Sequence, residues 1–88
     1  MHSFKISAHL TERLNKLSRK DKNLYEQLLK KIDEVINCLT IDHYKNLRYN
    51  LKFSKRVHVG PFVLVFQYNE DKDEIFFDDF DHHDKIYI

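Results

Sequence analysis

The chain holds one cysteine, one glycine, one proline and no tryptophan, and each scarcity removes a class of structure. A lone Cys38 cannot form a disulfide within the chain, so no covalent staple supports the fold. It falls on the apolar side of a helix-patterned stretch and reads as a small core residue, with no neighbouring base or polarised thiolate to suggest catalysis. The only glycine and the only proline are adjacent, Gly60-Pro61, and give the chain its one strong turn signal. No apolar run reaches membrane length and no signal-peptide pattern is present, which predicts a cytoplasmic protein with no membrane partner. No repeat, linker or low-complexity segment occurs, which predicts one domain spanning 1–88.

The net charge of +1 does not mark a general nucleic-acid binder, but its distribution is uneven. From Asp42 to His58 there are five Lys or Arg (Lys45, Arg48, Lys52, Lys55, Arg56) against one acid, and from Glu70 to Asp84 eight acids against Lys72. A basic middle and an acidic end make the molecule a dipole whose local field, not its net charge, attracts a polyanion. Seven Phe and five Tyr supply enough buried area for an aromatic core. At this size a chain buries roughly 60–65 % of its unfolded surface, so stability is expected on the order of 5–10 kcal/mol.

In chain order, His2 to Ser7 alternates Phe4 and Ile6 with polar residues and predicts a short strand. From Ala8 onward Leu10, Leu14 and Leu17 mark one stripe of a short helix; Thr11 to Lys20 holds no breaker, and Ser18 to Asp21 reads as a helix–helix junction. Asp21 is an N-cap candidate for a second helix running to about Leu39, with Leu24, Leu28, Ile32, Val35, Ile36 and Leu39 on its apolar side and Lys30–Glu34 as an i,i+4 pair. Residues 40–47 read as loop. Arg48 to Tyr68 reads as a hairpin: Phe53, Val57 and Val59 share one parity and Lys52, Ser54, Arg56 and His58 the other, then Gly60-Pro61 turns the chain into the apolar run Phe62 to Phe66. A polar turn over 69–73 leads to a strand from Glu74 to Phe80, a charged stretch from Asp81 to Asp84, and a closing segment that reads as strand or turn. The order β-α-α-β-β-β predicts an α+β fold, a helical hairpin packed on a small, mainly antiparallel sheet.

Three groups of residues carry chemistry. Lys45, Arg48, Lys52, Lys55 and Arg56 are interleaved with Tyr44, Tyr49 and Phe53, a combination that suits single-stranded RNA and equally a solvated face or a protein partner. Asp78, Asp79, Asp81, His82, His83 and Asp84 include metal-ligand types, but their spacing fits no standard zinc signature, and no metal or other cofactor is expected. His83 and Tyr87 pair an imidazole that titrates near neutrality with a phenol that donates or stacks, or are simply a surface histidine and a tyrosine packed on the sheet.

The motifs Lys45-Asn46-Leu47, Arg56-Val57-His58-Val59-Gly60 running into Phe62-Val63-Leu64-Val65-Phe66, and His82-His83-Asp84-Lys85-Ile86-Tyr87 follow one another as in the RelE/ParE superfamily of toxins. The chain resembles that superfamily over nearly its whole length, most closely its archaeal RelE members. The resemblance implies a toxin of a type II toxin–antitoxin pair, an endoribonuclease that cuts messenger RNA on the ribosome without a metal or cofactor and so inhibits translation. It implies catalytic roles for Arg56, His58, His83 and Tyr87 and RNA contacts from Lys45, Arg48, Lys52 and Lys55. It further implies a RelB-like antitoxin, the ribosome and mRNA as partners, with operator DNA bound only through the antitoxin complex. Two positions depart from the family pattern: Val63 and His83 stand where arginines are usual. The gyrase-inhibiting ParE branch, or a non-catalytic RNA- or protein-binding module, are the alternatives on the same scaffold.

Overall fold

The computed structural model describes residues 2–46 and 54–86. The elements are β1 (Ser3–Ile6), α1 (Ala8–Lys20), α2 (Lys22–Ile36), a 3₁₀ turn (Ile41–His43), β2 (Lys45–Asn46), β3 (Ser54–Val59), β4 (Phe62–Asn69), β5 (Glu74–His82) and α3 (His83–Ile86). The five strands form one sheet in the order β1-β5-β4-β3-β2. All pairs are antiparallel except β1 with β5, so the expected α+β architecture is observed. Among the described residues no helix is long and apolar enough to cross a membrane.

Each helix begins where its cap permits. Ser7 Oγ accepts from the Leu10 amide (3.0 Å) and Asp21 Oδ1 from the Leu24 amide (3.1 Å), each satisfying an amide left open in the first turn. Both helices turn leucine-type faces onto one side of the sheet. Leu10, Leu28, Ile32, Val35 and Ile36 meet Val59, Leu64, Phe66, Ile75, Phe77 and Phe80 in a continuous core. Phe66 is its centre, edge-on to Tyr44 (5.4 Å) and tilted against Phe77 (5.9 Å).

The β3–β4 hairpin closes on Gly60-Pro61, with Val59 paired to Phe62. Gly60 has φ +59, a conformation that costs glycine little and a side chain much more, so the scarce residue sits where a tight hairpin requires it. Strand β5 contains a bulge. Val65 pairs with Asp79 but Phe66 with Phe77, leaving Asp78 as the extra residue. An inserted residue reverses the alternation, and this is why Phe77 and Phe80, three apart, both point into the core.

Several boundaries differ from expectation. Helix α2 ends at Ile36: Asn37 leaves helical geometry (φ −95, ψ 1), the Cys38 amide closes a tighter turn onto Val35 O (3.2 Å), and Leu39 is left 92 % exposed instead of packed. Glu34 pairs with Lys31 (2.8 Å), not Lys30. The expected loop over 40–47 contains buried Ile41 and the two-residue edge strand β2, which pairs with β3. Strand β5 runs two residues past Phe80, and a helical turn over 83–86 begins the closing segment that reads as strand or turn. Ser54, assigned to the exposed parity of β3, is 7 % exposed.

Candidate active site

The face of the sheet turned away from α1 and α2 is built in rows, because directly paired residues of antiparallel strands share a side. One row runs Arg56–Val65–Asp79 and the next His58–Val63–Asp81 across β3, β4 and β5. Val63 and Val65 are buried and Ile86 of α3 packs against them, forming a small second apolar cluster. This cluster is a platform, with nitrogen bases on one flank and carboxylates on the other.

On the basic flank, Arg56 Nη1 lies 3.1 Å from His58 Nε2. A guanidinium only donates, so Nε2 is the acceptor and the His58 ring is neutral in this arrangement. The His58 pKa is lowered from its usual value, first by desolvation and then by the charges of Arg56 and His83. The rings of His58 and His83 stack, 6.0 Å apart and inclined by 26°. What brings His83 there is the hairpin turn: the His83 amide donates to Pro61 O (2.9 Å), fixing the first residue of α3 beside the end of β3. Arg56, His58 and His83, 27 positions apart at the extremes, therefore meet on one platform.

The other expected site residues divide. Lys45 lies on β2 in register with Arg56. Lys55 belongs to the opposite parity of β3, and its ammonium reaches Tyr44 O (3.3 Å) and Asp42 (3.7 Å), away from the Arg56 row. Arg48, Lys52 and Tyr87 lie outside the described residues. Val63, at the position where the family pattern has an arginine, is 0 % exposed, paired across strands with His58 and packed by Ile86, so it supplies platform and not charge.

The acidic flank contains the residue that sequence reasoning missed. Arg13 of α1 reaches Asp81 (2.6 Å) and Asp79 (3.7 Å), and His9 Nε2 lies 3.0 Å from Asp79. These carboxylates lie across the intervening β4 from Arg56 and His58, and Arg13 offsets their negative charge. The only local signal for this was an arginine beside the Leu10–Leu14–Leu17 stripe. At the end of the strand Asp84 sits near both His82 Nδ1 (3.7 Å) and His83 Nδ1 (3.6 Å).

A second titratable group ties the start of the chain to the β4–β5 turn. His2 Nδ1 contacts Asp73 Oδ1, His2 Nε2 lies 2.5 Å from Cys38 O, and Tyr68 OH donates to Asp73 (2.7 Å). It lies on the helix-bearing side and at the opposite end of the strands from His58.

No family model matches the chain. Over 88 residues it is 44 % identical to the Methanocaldococcus jannaschii protein named "Putative toxin RelE4", covering 99 % of this chain and 92 % of that one. Its fold is similar to the crystal structure of the isolated Escherichia coli RelE toxin, with TM-score 0.67, 20 % identity, and 93 % and 84 % of the two chains covered. It is also similar to a chain of the intact E. coli RelBE toxin–antitoxin complex, with TM-score 0.68, 19 % identity, and 93 % and 96 % covered.

Proposed function

The chain belongs to the RelE family of toxins, and from that premise we propose that it is a ribosome-dependent mRNA endoribonuclease, metal-independent and neutralised by a cognate antitoxin. The observation that carries this reading is the Arg56–His58–His83 group, gathered by the hairpin turn on the sheet face turned away from α1 and α2. RNA cleavage without a metal needs a base for the 2′-hydroxyl, an acid for the leaving oxygen and fixed charge for the phosphate. Those are the three group types present.

In the proposed reaction the incoming phosphate draws the Arg56 guanidinium away from His58. Nε2 is then free to take the 2′-hydroxyl proton as the 2′-oxygen attacks phosphorus. The bond from phosphorus to the 5′-oxygen breaks, that oxygen takes a proton from His83, and the products are a 2′,3′-cyclic phosphate and a 5′-hydroxyl. Arg56 holds the charge that builds on the phosphoryl oxygens. A proton on His83 disfavours one on His58, which keeps one ring as base and the other as acid. Tyr87 is assigned to stack on a base or to assist proton donation, and Lys45, Arg48 and Lys52 to hold the RNA backbone. Lys55, directed at Asp42, adds to the field and not to the reacting phosphate.

The antitoxin reading is supported by the likeness to a chain of the RelBE complex. The test is expression of the chain alone in growing cells. Translation should fall first, cleaved mRNA ends should map to ribosome-bound codons, and co-expression of the partner should reverse both. A block in replication with translation intact would assign the chain to the gyrase-inhibiting branch. Unimpaired growth at confirmed soluble expression would contradict a toxin.

A further inference from the structure

Around the hairpin end from His58 lies a second cationic depression. Arg13, Lys16, Leu17 and Lys20 of α1, with Phe62 and Phe80 of the sheet, line a pocket of about 140 Å³. Sites for whole small molecules run to about 300–1,000 Å³, so this one accepts a single planar ring or side chain. Its wall is aromatic: the rings of Phe62 and Phe80 lie 5.3 Å apart and nearly parallel, at 17°. Its rim is positive. Arg13 is held by Asp79 and Asp81, whereas exposed Lys16 and Lys20, one helical turn apart, have no ion pair among the described residues.

The pocket lies on the helix-bearing face, next to the turn that holds His83 on the other face. Phe62 pairs with His82, its ring 5.6 Å from the His82 ring, and the neighbouring Pro61 carbonyl accepts from the His83 amide. A chain lying on His58 and His83 therefore reaches the pocket by crossing the end of the hairpin. Proteins that follow single-stranded nucleic acid combine cationic rims with aromatic faces on which bases stack.

We propose that this pocket is a nucleotide subsite on the RNA path, the base packing against Phe62 and Leu17 and the flanking phosphates facing Lys16 and Lys20. This rests on the RNA-cleavage reading above and adds to it a subsite on α1, outside the cleavage centre. An acidic protein segment is the competing occupant. The aromatic wall beside the lysine rim favours RNA, since it gives a base a face to stack on where an acidic peptide would use the cations alone.

The test uses the full chain and a fluorescently labelled 12-nucleotide single-stranded RNA at low salt, with melting temperatures on the same preparations. Lys16→Ala/Lys20→Ala should bind about tenfold more weakly, and its dependence of log affinity on log salt should flatten by about 1.4, the value for two phosphate contacts on a single strand. Phe62→Leu, which keeps most of the apolar volume, should lose at least about fivefold in affinity through lost stacking. Unchanged affinity and salt slope in the lysine variant overturn the subsite, and the cleavage reading stands if the wild type still cuts mRNA on ribosomes and Arg56→Ala does not. A wild type that neither binds nor cleaves overturns both. RNA binding unchanged in the lysine variant, with weakened capture of the purified antitoxin, would assign the pocket to the protein partner and overturn the subsite.

Discussion

His58 Nε2 accepts from Arg56 only while the imidazole is neutral, which makes the protonation of one ring a direct reporter of the site. Desolvation and the charges of Arg56 and His83 all act in the same direction. Followed by NMR, the His58 ring should titrate below 6.5, and removing the second of these causes in Arg56→Ala should move it upward. Titration at or above 6.5 in the wild type would mean that the ring is not held as a base. The His2 clasp has the opposite sign. Hydrogen bonds to Asp73 and to the Cys38 carbonyl raise the His2 pKa above 6.5, so its stabilisation is fully present below that pH and lost as pH rises through the folded-state value. Asp73 is depressed by Tyr68 and His2, so its contribution is present above about 3.8 and lost as pH falls through the lowered value. Tyr68, bonded to Asp73, is pushed up to about 12 and stays protonated across this window. Melting temperature should therefore decline from pH 6 toward 8 in the wild type and less in His2→Ala. An equal decline in both would place the pH dependence elsewhere.

At the level of elements, the junction of β1, α1 and β5 turns on Ser7. Its hydroxyl caps α1 through the Leu10 amide and donates to the Asp78 carbonyl at the bulge (2.6 Å), while its own amide donates to Phe77 O (2.9 Å). Ser7→Ala removes a cap and leaves a part-buried carbonyl without its donor, and should lower stability by about 1–2 kcal/mol in denaturant titration. A loss below about 0.3 kcal/mol would show that the bulge holds without it. Local signals were enough for α1, for the start of α2 and for the hairpin, because leucine spacing, the Asp21 cap and Gly60-Pro61 are properties of adjacent residues. They failed where structure depends on distant partners. Two residues of β2 have no periodicity to read, and β2 exists because β3 presents an edge. The bulge at Asp78 breaks the alternation of Ile75, Phe77 and Phe80, which no local pattern resolves. The site followed the same division: Arg56 and His58 could be read from their strand, the stacking of His83 only from the turn it bonds to. Arg13 was invisible because its partners lie 66 and 68 positions away.

Across the whole molecule, the sequence dipole folds into a sheet with cations on β3 and acids on β5, separated by one valine-bearing strand. Such a surface would meet a phosphate with mixed forces were Asp79 and Asp81 not already engaged by α1. In the proposed chemistry, charge stabilisation comes from Arg56 and its neighbours. Cleavage on ribosomes should therefore persist in a chelator, once controls show that the ribosomes remain intact. Activity lost in chelator and restored by a divalent ion would require Asp78, Asp79, Asp81, His82 and His83 to be read as ligands. The central claim is that the Arg56–His58–His83 platform cleaves RNA, and Arg56→Ala tests it most directly. The substitution opens no cavity in the helix-side core, since Arg56 lies on the opposite parity from Val57 and Val59, so stability should shift by less than about 1 kcal/mol. Loss of one charge contact to a transition state typically slows a reaction about 10²–10³-fold. Ribosome-dependent mRNA cleavage, measured beside melting temperature on the same preparation, should fall by that factor in a folded Arg56→Ala protein, while Lys72→Ala in the β4–β5 turn should cleave as the wild type does. Full cleavage by folded Arg56→Ala would contradict the account and place the active site on another face of the sheet.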